Sequence, residues 1–456
     1  MFSLSHNFSK MIGAASPILV AVCFVSLGNS QITPTPTPTP TFGGNGPSDP
    51  GLRGGAAAAG GAIAGLDSTP GLTAAFNAGK VDFQEEENVT SDGLGPRFNS
   101  NSCVSCHSQP AIGGSSPAAN PQVKFTNSQN TLPSFITRDG PAREARFIKK
   151  RDGTPDGGVH ALFTIAGRAD QPSGCSLTQE TFTNTSNISL RIPTPTFGLG
   201  LIEAITDTAL QQNLDSNGGA RLGIGGRLNR NGNDGTVTRF GWKAQNKSLL
   251  IFSAEAYNVE MGISNLMFNT ERDETPNCSP VPPPNGLFAL GGQIDSAVFD
   301  DIVNFANFMR FLAPPARGPI DASVMTGSNQ FVAVGCSGCH TVMLKTGPNA
   351  FPQLANQTIF PYSDFALHHM GPRLADQISQ GLAQGDEFRT APLWGLGQRI
   401  FFLHDGRTTD LVQAIREHSS DGNSQFPDSE ANAVVRNYFN LNNSDQQAVL
   451  KFLRSL

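Results

Sequence analysis

Two pentapeptides repeat one pattern: Cys103-Val104-Ser105-Cys106-His107 and Cys336-Ser337-Gly338-Cys339-His340. Two thiols one helical turn apart, followed at once by His, suit attachment of a c-type haem. Each thiol can form a thioether to one vinyl group, and the His reaches the iron from the proximal side. One copy would be ambiguous, because zinc knuckles and redox C-x-x-C pairs share four of its letters. Two copies with His at the same offset, in a chain that reads as exported, point to two covalently bound haem c groups. Cys103, Cys106, Cys336 and Cys339 are then the thioether donors, and His107 and His340 the proximal metal ligands.

The export reading comes from residues 1–30. Lys10 follows a polar start, Met11 to Leu27 is mostly apolar, and Gly28 and Ser30 follow as small residues. That is the pattern of a signal peptide, and an uncleaved anchor is the alternative. It implies a periplasmic or otherwise extracytoplasmic location, with no transmembrane span after removal. Residues 31–66, Thr/Pro-alternating and then Gly/Ala-rich, read as a disordered linker. Cys23 leaves with the signal, so Cys175 and Cys278 remain as a spare pair. In an oxidising compartment they are expected as a disulfide, with two buried thiols as the alternative.

The elements that must hold the two motifs are also duplicated. Gly79 is followed four residues later by Phe83, and Gly327 by Phe331. At that spacing the two lie one above the other on a helix. Segments around Leu72–Phe83 and Val324–Val334 are therefore expected as matching helices. Leu249–Tyr257 and Ala297–Leu312 also read as helices, the latter stopped by Pro314-Pro315. Thr408–His418 places Leu411, Ala414, Ile415 and His418 on one helical face. Ser444-Asp445-Gln446-Gln447 resembles a capping box opening a final helix. Between the motifs, 108–295 is rich in Gly, Asn, Ser and Thr, with room for short strands. The expected fold is mainly α: two c-type cytochrome domains, 67–295 with a long loop-rich insertion, and 296–456.

Composition narrows the function. The net charge is −6 and only 15% of residues are charged, against about 25% in typical domains. That argues against a nucleic-acid partner. The 49 Gly and 32 Pro agree with a loop-rich chain. Phe outnumbers Tyr by 31 to 3, a skew with no firm physical account.

A wider set of motifs resembles a family. Asp92-Gly93-Leu94-Gly95-Pro96-Arg97-Phe98-Asn99, Phe240-Gly241-Trp242-Lys243-Ala244, Glu260-Met261-Gly262-Ile263, Pro392-Leu393-Trp394-Gly395-Leu396-Gly397 and Leu403-His404-Asp405-Gly406-Arg407 look like those of bacterial di-haem oxidoreductases, often labelled thiol oxidoreductases. These are distant relatives of di-haem cytochrome c peroxidases. The resemblance spans about 70–456. It implies that the N-terminal haem meets peroxide while the C-terminal haem passes electrons. It further implies a Trp between the haems and a Glu over the peroxidatic iron, in the order matched by Trp242 and Glu260. An amide residue often found between these two has no clear counterpart, with Phe252 near that place. Relatives carry a Met or Tyr as second ligand of the C-terminal haem; counting along the helix, that position is His418, the residue already placed on a buried face. The resemblance also allows a bridging Ca²⁺, although no Asp-rich loop demands one.

Each assignment has a plain competitor. His418 could simply bond a carbonyl at a helix end, and Met370 and Met343 are rival ligands. His160 could cap the first haem or belong to a turn. Glu260 could be an ordinary surface carboxylate, and Trp242 a core indole. Arg389 and Arg407 could pair with haem propionates through the guanidinium fork, or sit on the surface. The leading expectation is a peroxidase-like oxidoreductase taking electrons from a small cytochrome or copper protein, with hydrogen peroxide as substrate. The alternatives are a non-catalytic electron carrier with both haems six-coordinate and an oxidase acting on a protein or organic substrate.

Overall fold

The computed structural model describes residues 46–216, 218–284 and 301–456. The leader, the start of the linker and 285–300 lie outside these. Eleven helices are described: α1 Pro70–Asp82, α2 Cys103–Cys106, α3 Leu199–Glu203, α4 Asp207–Ser216, α5 Leu249–Met261, α6 Asp301–Phe311, α7 Ala322–Ala333, α8 Gly371–Leu374, α9 Leu411–Glu417, α10 Asn432–Phe439 and α11 Asn443–Ser455. Among the described residues, none is long and apolar enough to cross a membrane. The strands are short and antiparallel. β1 Arg97–Phe98 pairs with β4 Phe163–Thr164, and β2 Glu144–Phe147 lies between β3 Val159–His160 and β5 Ile188–Arg191. β6 Leu344–Lys345 pairs with β7 Thr358–Ile359, and β8 Leu367–His369 with β9 Glu387–Arg389. The chain is thus mostly helical with few short strands.

Local chemistry explains the helix limits. α5 starts where Ser248 Oγ accepts from the Ile251 N–H, and it ends at Gly262 in the left-handed region, φ 75°. Asp321 and Asp410 cap α7 and α9 in the same way as Ser248. The last helix begins earlier than the capping-box pattern suggests. The Asn442 side chain accepts from the Asp445 N–H, so Ser444 falls inside the first turn.

Two crossed helix pairs organise the core. α1 packs on α6 and α7 packs on α11. Phe76, Phe83, Phe305 and Phe308 fill the first junction, and Phe331, Tyr362 and Phe452 the second. The buried face of α6 joins α1 and α5.

One further expectation changes. Residues 46–66 are not a free tether. Asp49 pairs with Arg454 at 2.6 Å and accepts from the Leu411 N–H at 2.9 Å, Ala62 bridges Leu312, and Leu66 is buried. Composition missed this because two polar anchors and one Leu hold the strap, not a periodic apolar face. The insertion holds the short strands expected of it, and Cys175 and Cys278, 103 residues apart, form the expected disulfide.

Candidate functional site

Each Cys-x-x-Cys-His motif follows its glycine-bearing helix and lines a buried cavity. The first cavity measures about 1180 Å³ and the second about 1460 Å³, open space at the mouths included. None of the four motif cysteines is in a disulfide.

The two motif histidines are held alike. His107 Nδ1 lies 3.0 Å from the Gly114 carbonyl oxygen, and His340 Nδ1 lies 2.9 Å from that of Tyr362. A carbonyl offers only lone pairs, so Nδ1 carries the proton and Nε2 keeps its lone pair for a metal. Burial pushes both imidazoles down to about 4, which keeps them neutral and able to ligate. His418 repeats the device: it caps α9, its Nδ1 donates to the Ala414 carbonyl at 2.7 Å, and it lines the second cavity with His340. The carbonyl bond that stood as the alternative to ligation is the same bond that frees Nε2.

Trp242 lines both cavities. Its Nε1 donates to the Ile192 carbonyl at 2.9 Å, the Arg399 guanidinium lies 5.7 Å over its ring, and His404 meets it edge-on at 6.4 Å. Glu260, near the end of α5, lines the first cavity. Burial and the Glu144 carboxylate push it up to about 8, against the pull of Arg146. Glu144 and Arg146 are two apart on β2 and so share a face; they pair at 2.7 Å and line the same cavity. The insertion thus builds part of the first cavity.

Arg389 and Arg407 separate. Arg389 lines the second cavity, donates from Nε to the Gly241 carbonyl at 2.9 Å and is pushed down to about 10 by burial. Arg407 lines neither cavity. It is exposed and taken up by Asp405 at 2.7 Å and Glu417 at 3.3 Å, which is why it does not reach inward. Arg399 takes the place expected of it: buried, lining the second cavity, with Nη2 lacking a partner. Met343 is exposed and points to no cavity, while Met370 does line the second. His160 stacks on Phe147 and pairs with Asp156 and Glu180, away from both cavities.

Sequence reasoning missed Gln245, Arg399 and Tyr438. Gln245, three residues after Trp242, lines the first cavity, as does Phe252. Its Oε1 is buried without a partner, as is the Tyr438 hydroxyl in the second cavity. Only Gln245 carried a usable signal, its closeness to the Trp242 motif.

A pair of buried cavities, each with a neutral His presented beside two thiols and joined by one indole, defines a two-centre redox protein. A family model described as "Di-haem oxidoreductase, putative peroxidase" matches residues 155–456, and the chain belongs to that family. The match begins after the first Cys-x-x-Cys-His motif. No curated protein matches the chain. Among solved structures, the chain is similar to the diheme peroxidase BthA from Burkholderia thailandensis, at 14% identity over 90% of this chain and 94% of that one, TM-score 0.38. It is also similar to a MauG-like protein associated with microbial copper homeostasis, at 16% identity over 58% of this chain and 90% of that one, TM-score 0.29.

The family implies two haems, and the residues fit them. In the second cavity the orphaned Arg399 Nη2 and the Tyr438 hydroxyl are buried donors that a carboxylate edge would satisfy, and in the first the orphaned Gln245 Oε1 is an acceptor left for a bound donor. Among the described residues, no group of three or more His, Cys, Asp or Glu side chains is arranged to hold a metal ion.

Proposed function

We propose that the chain is an exported di-haem c-type cytochrome with peroxidase-like oxidoreductase activity. Cys103 and Cys106 would hold one haem by thioethers and Cys336 and Cys339 the other, with His107 and His340 as proximal ligands and His418 as second ligand in the C-terminal site. The two haems would supply the redox chemistry, electrons entering at the C-terminal one from a small cytochrome or copper protein and hydrogen peroxide being reduced at the N-terminal one. Each site then forms the core of its own cytochrome-like unit, within one molecule.

The observation that carries this reading is the shared wall: Trp242 borders both cavities, and Glu260 borders only the first. An indole is the side chain suited to couple two redox centres. A carboxyl pushed up to about 8 is suited to move a proton between the two oxygens of peroxide. Gln245, beside Trp242, would orient the peroxide through its free Oε1.

A non-catalytic electron carrier is the second reading. It has one observation in its favour: the buried Met261 and Met309 also border the first cavity and could complete a six-coordinate site. Rapid mixing of the holoprotein, fully and half reduced, with hydrogen peroxide separates the two. A fast stoichiometric spectral change at one haem supports the peroxidase reading. No reaction in either redox state overturns it in favour of the carrier.

A further inference from the structure

Tyr257 is one of only three tyrosines, in a chain with 31 phenylalanines. It sits on α5, one turn before Glu260, and lines the first cavity while 3% exposed. Its ring meets Phe305 edge-on at 5.1 Å. Phe would serve for that packing, so the hydroxyl needs its own reason.

The hydroxyl lies between two carboxyl groups, 3.2 Å from Glu87 Oε1 and 3.1 Å from Asp301 Oδ2. A phenol has one hydrogen to donate. It is placed to donate to either carboxyl group, and the ionised one is the stronger acceptor. Glu87 is the protonated one: burial and the neighbouring Asp301 charge push it up to about 8. Asp301 is then the anion that receives the phenolic hydrogen bond. The Cys103 thiol of the first motif lies within electrostatic reach of the phenol. An ordinary core tyrosine needs one partner; this one has a carboxyl group on each side, and one of them is an anion able to take its proton.

We propose that Tyr257 is a redox-active side chain of the first site, oxidised by one electron during reaction with hydrogen peroxide, with Asp301 taking its proton. The proposal rests on the peroxidase reading above. Peroxide takes two electrons and two protons to become two waters. Tyr257 supplies one of those electrons, the reduced C-terminal site would supply the other, and the two protons come from solvent by way of the first cavity. Its O–H bond breaks, the proton passes along the existing hydrogen bond to the Asp301 carboxylate, and a neutral tyrosyl radical remains. The reduced electron-donor protein returns the electron, and Asp301 returns the proton. The in-place acceptor matters because an oxidised phenol is a strong acid, and a buried phenol without an acceptor would have to hold a positive charge away from water.

The test is electron paramagnetic resonance of the half-reduced holoprotein frozen shortly after mixing with hydrogen peroxide in the absence of donor. The expected result is an organic radical with tyrosyl splitting that disappears in Tyr257→Phe, persists in Trp242→Phe, and falls several-fold in Asp301→Asn. Tyr257→Phe keeps the ring contact with Phe305, and Glu87 and Asp301 can share their remaining proton, so this variant is expected to fold with both haem spectra unchanged. A peroxide-dependent spectral change with no organic radical, or a radical undiminished in Tyr257→Phe, overturns the proposal alone. No spectral response of the wild type to peroxide overturns the peroxidase reading and this inference with it.

Discussion

Gly79 and Gly327 stand in the same relation to their partner helices. A Cβ on Gly79 would come within 2.0 Å of the Asn304 carbonyl oxygen and 3.0 Å of Phe308 Cβ; on Gly327, within 1.9 Å of the Ala448 carbonyl oxygen and 2.8 Å of Phe452 Cβ. The aromatic four residues after each glycine then meets that same Phe, Phe83 on Phe308 at 4.8 Å and Phe331 on Phe452 at 5.3 Å. These aromatics also pack beside the motif histidines, Phe83 at 6.1 Å from His107 and Phe331 at 6.2 Å from His340. What is duplicated in the sequence is a close helix crossing set beside each His.

Gly79→Ala and Gly327→Ala should therefore force the crossings apart. Overpacking of this kind costs about 1–3 kcal/mol. Denaturant unfolding followed by far-UV circular dichroism should show a lower midpoint for each variant. An unchanged midpoint would mean that the crossings relax without loss.

His418→Ala should alter the visible spectrum and reduction potential of one haem only. His418→Met should raise that potential, because thioether ligation favours the reduced iron. If neither variant moves either haem in a redox titration, His418 is not a ligand.

Glu260→Gln should slow peroxide turnover by about 100-fold or more, the usual yield of a positioned proton carrier, with both haem spectra nearly intact. The pH dependence has a definite sign. With its carboxyl pushed up to about 8, Glu260 is mostly protonated at neutral pH, and its base form grows as pH rises. Wild-type turnover at limiting peroxide should climb through that range, and the variant should be flat. Equal rates and profiles would remove Glu260 from the reaction.

Arg399→Met should lower the potential of the haem in the second cavity. It removes a buried cation whose Nη2 has no protein partner and which lies over Trp242. Loss of positive charge favours the oxidised iron. A potential unchanged in redox titration would show that Arg399 faces no haem edge.

The Cys175–Cys278 bond should matter for stability and not for redox chemistry. Closing a loop of 103 residues restrains the unfolded chain by about 5 kcal/mol in the loop-entropy account. The double change to Ala should lower the melting temperature while leaving haem spectra and potentials in place. A shift in either potential would tie the insertion to the redox sites more closely than the fold suggests.

Much of this protein was legible in its sequence because the signal was local. The two Cys-x-x-Cys-His motifs, the Gly-to-Phe spacing of α1 and α7, and the helical face ending at His418 each depend on a few neighbouring residues and one period. The motif around Trp242 and the later Glu260 were legible through family resemblance, since neither periodicity nor composition singles them out. Tertiary structure alone decided the rest. Residues 46–66 have the composition of a tether, yet Asp49 finds Arg454 across the whole chain. Arg407 sits in a suggestive motif but is captured by Asp405 and Glu417, while Arg399, in no motif, is left with a free donor inside the cavity. Glu144, Arg146 and Gln245 join Glu260 in one wall only after the insertion folds back on α5. Covalent and helical spacing act over a few residues and can be read along the chain. Which buried charge meets which partner depends on contacts between distant segments, and these exist only once the core has closed.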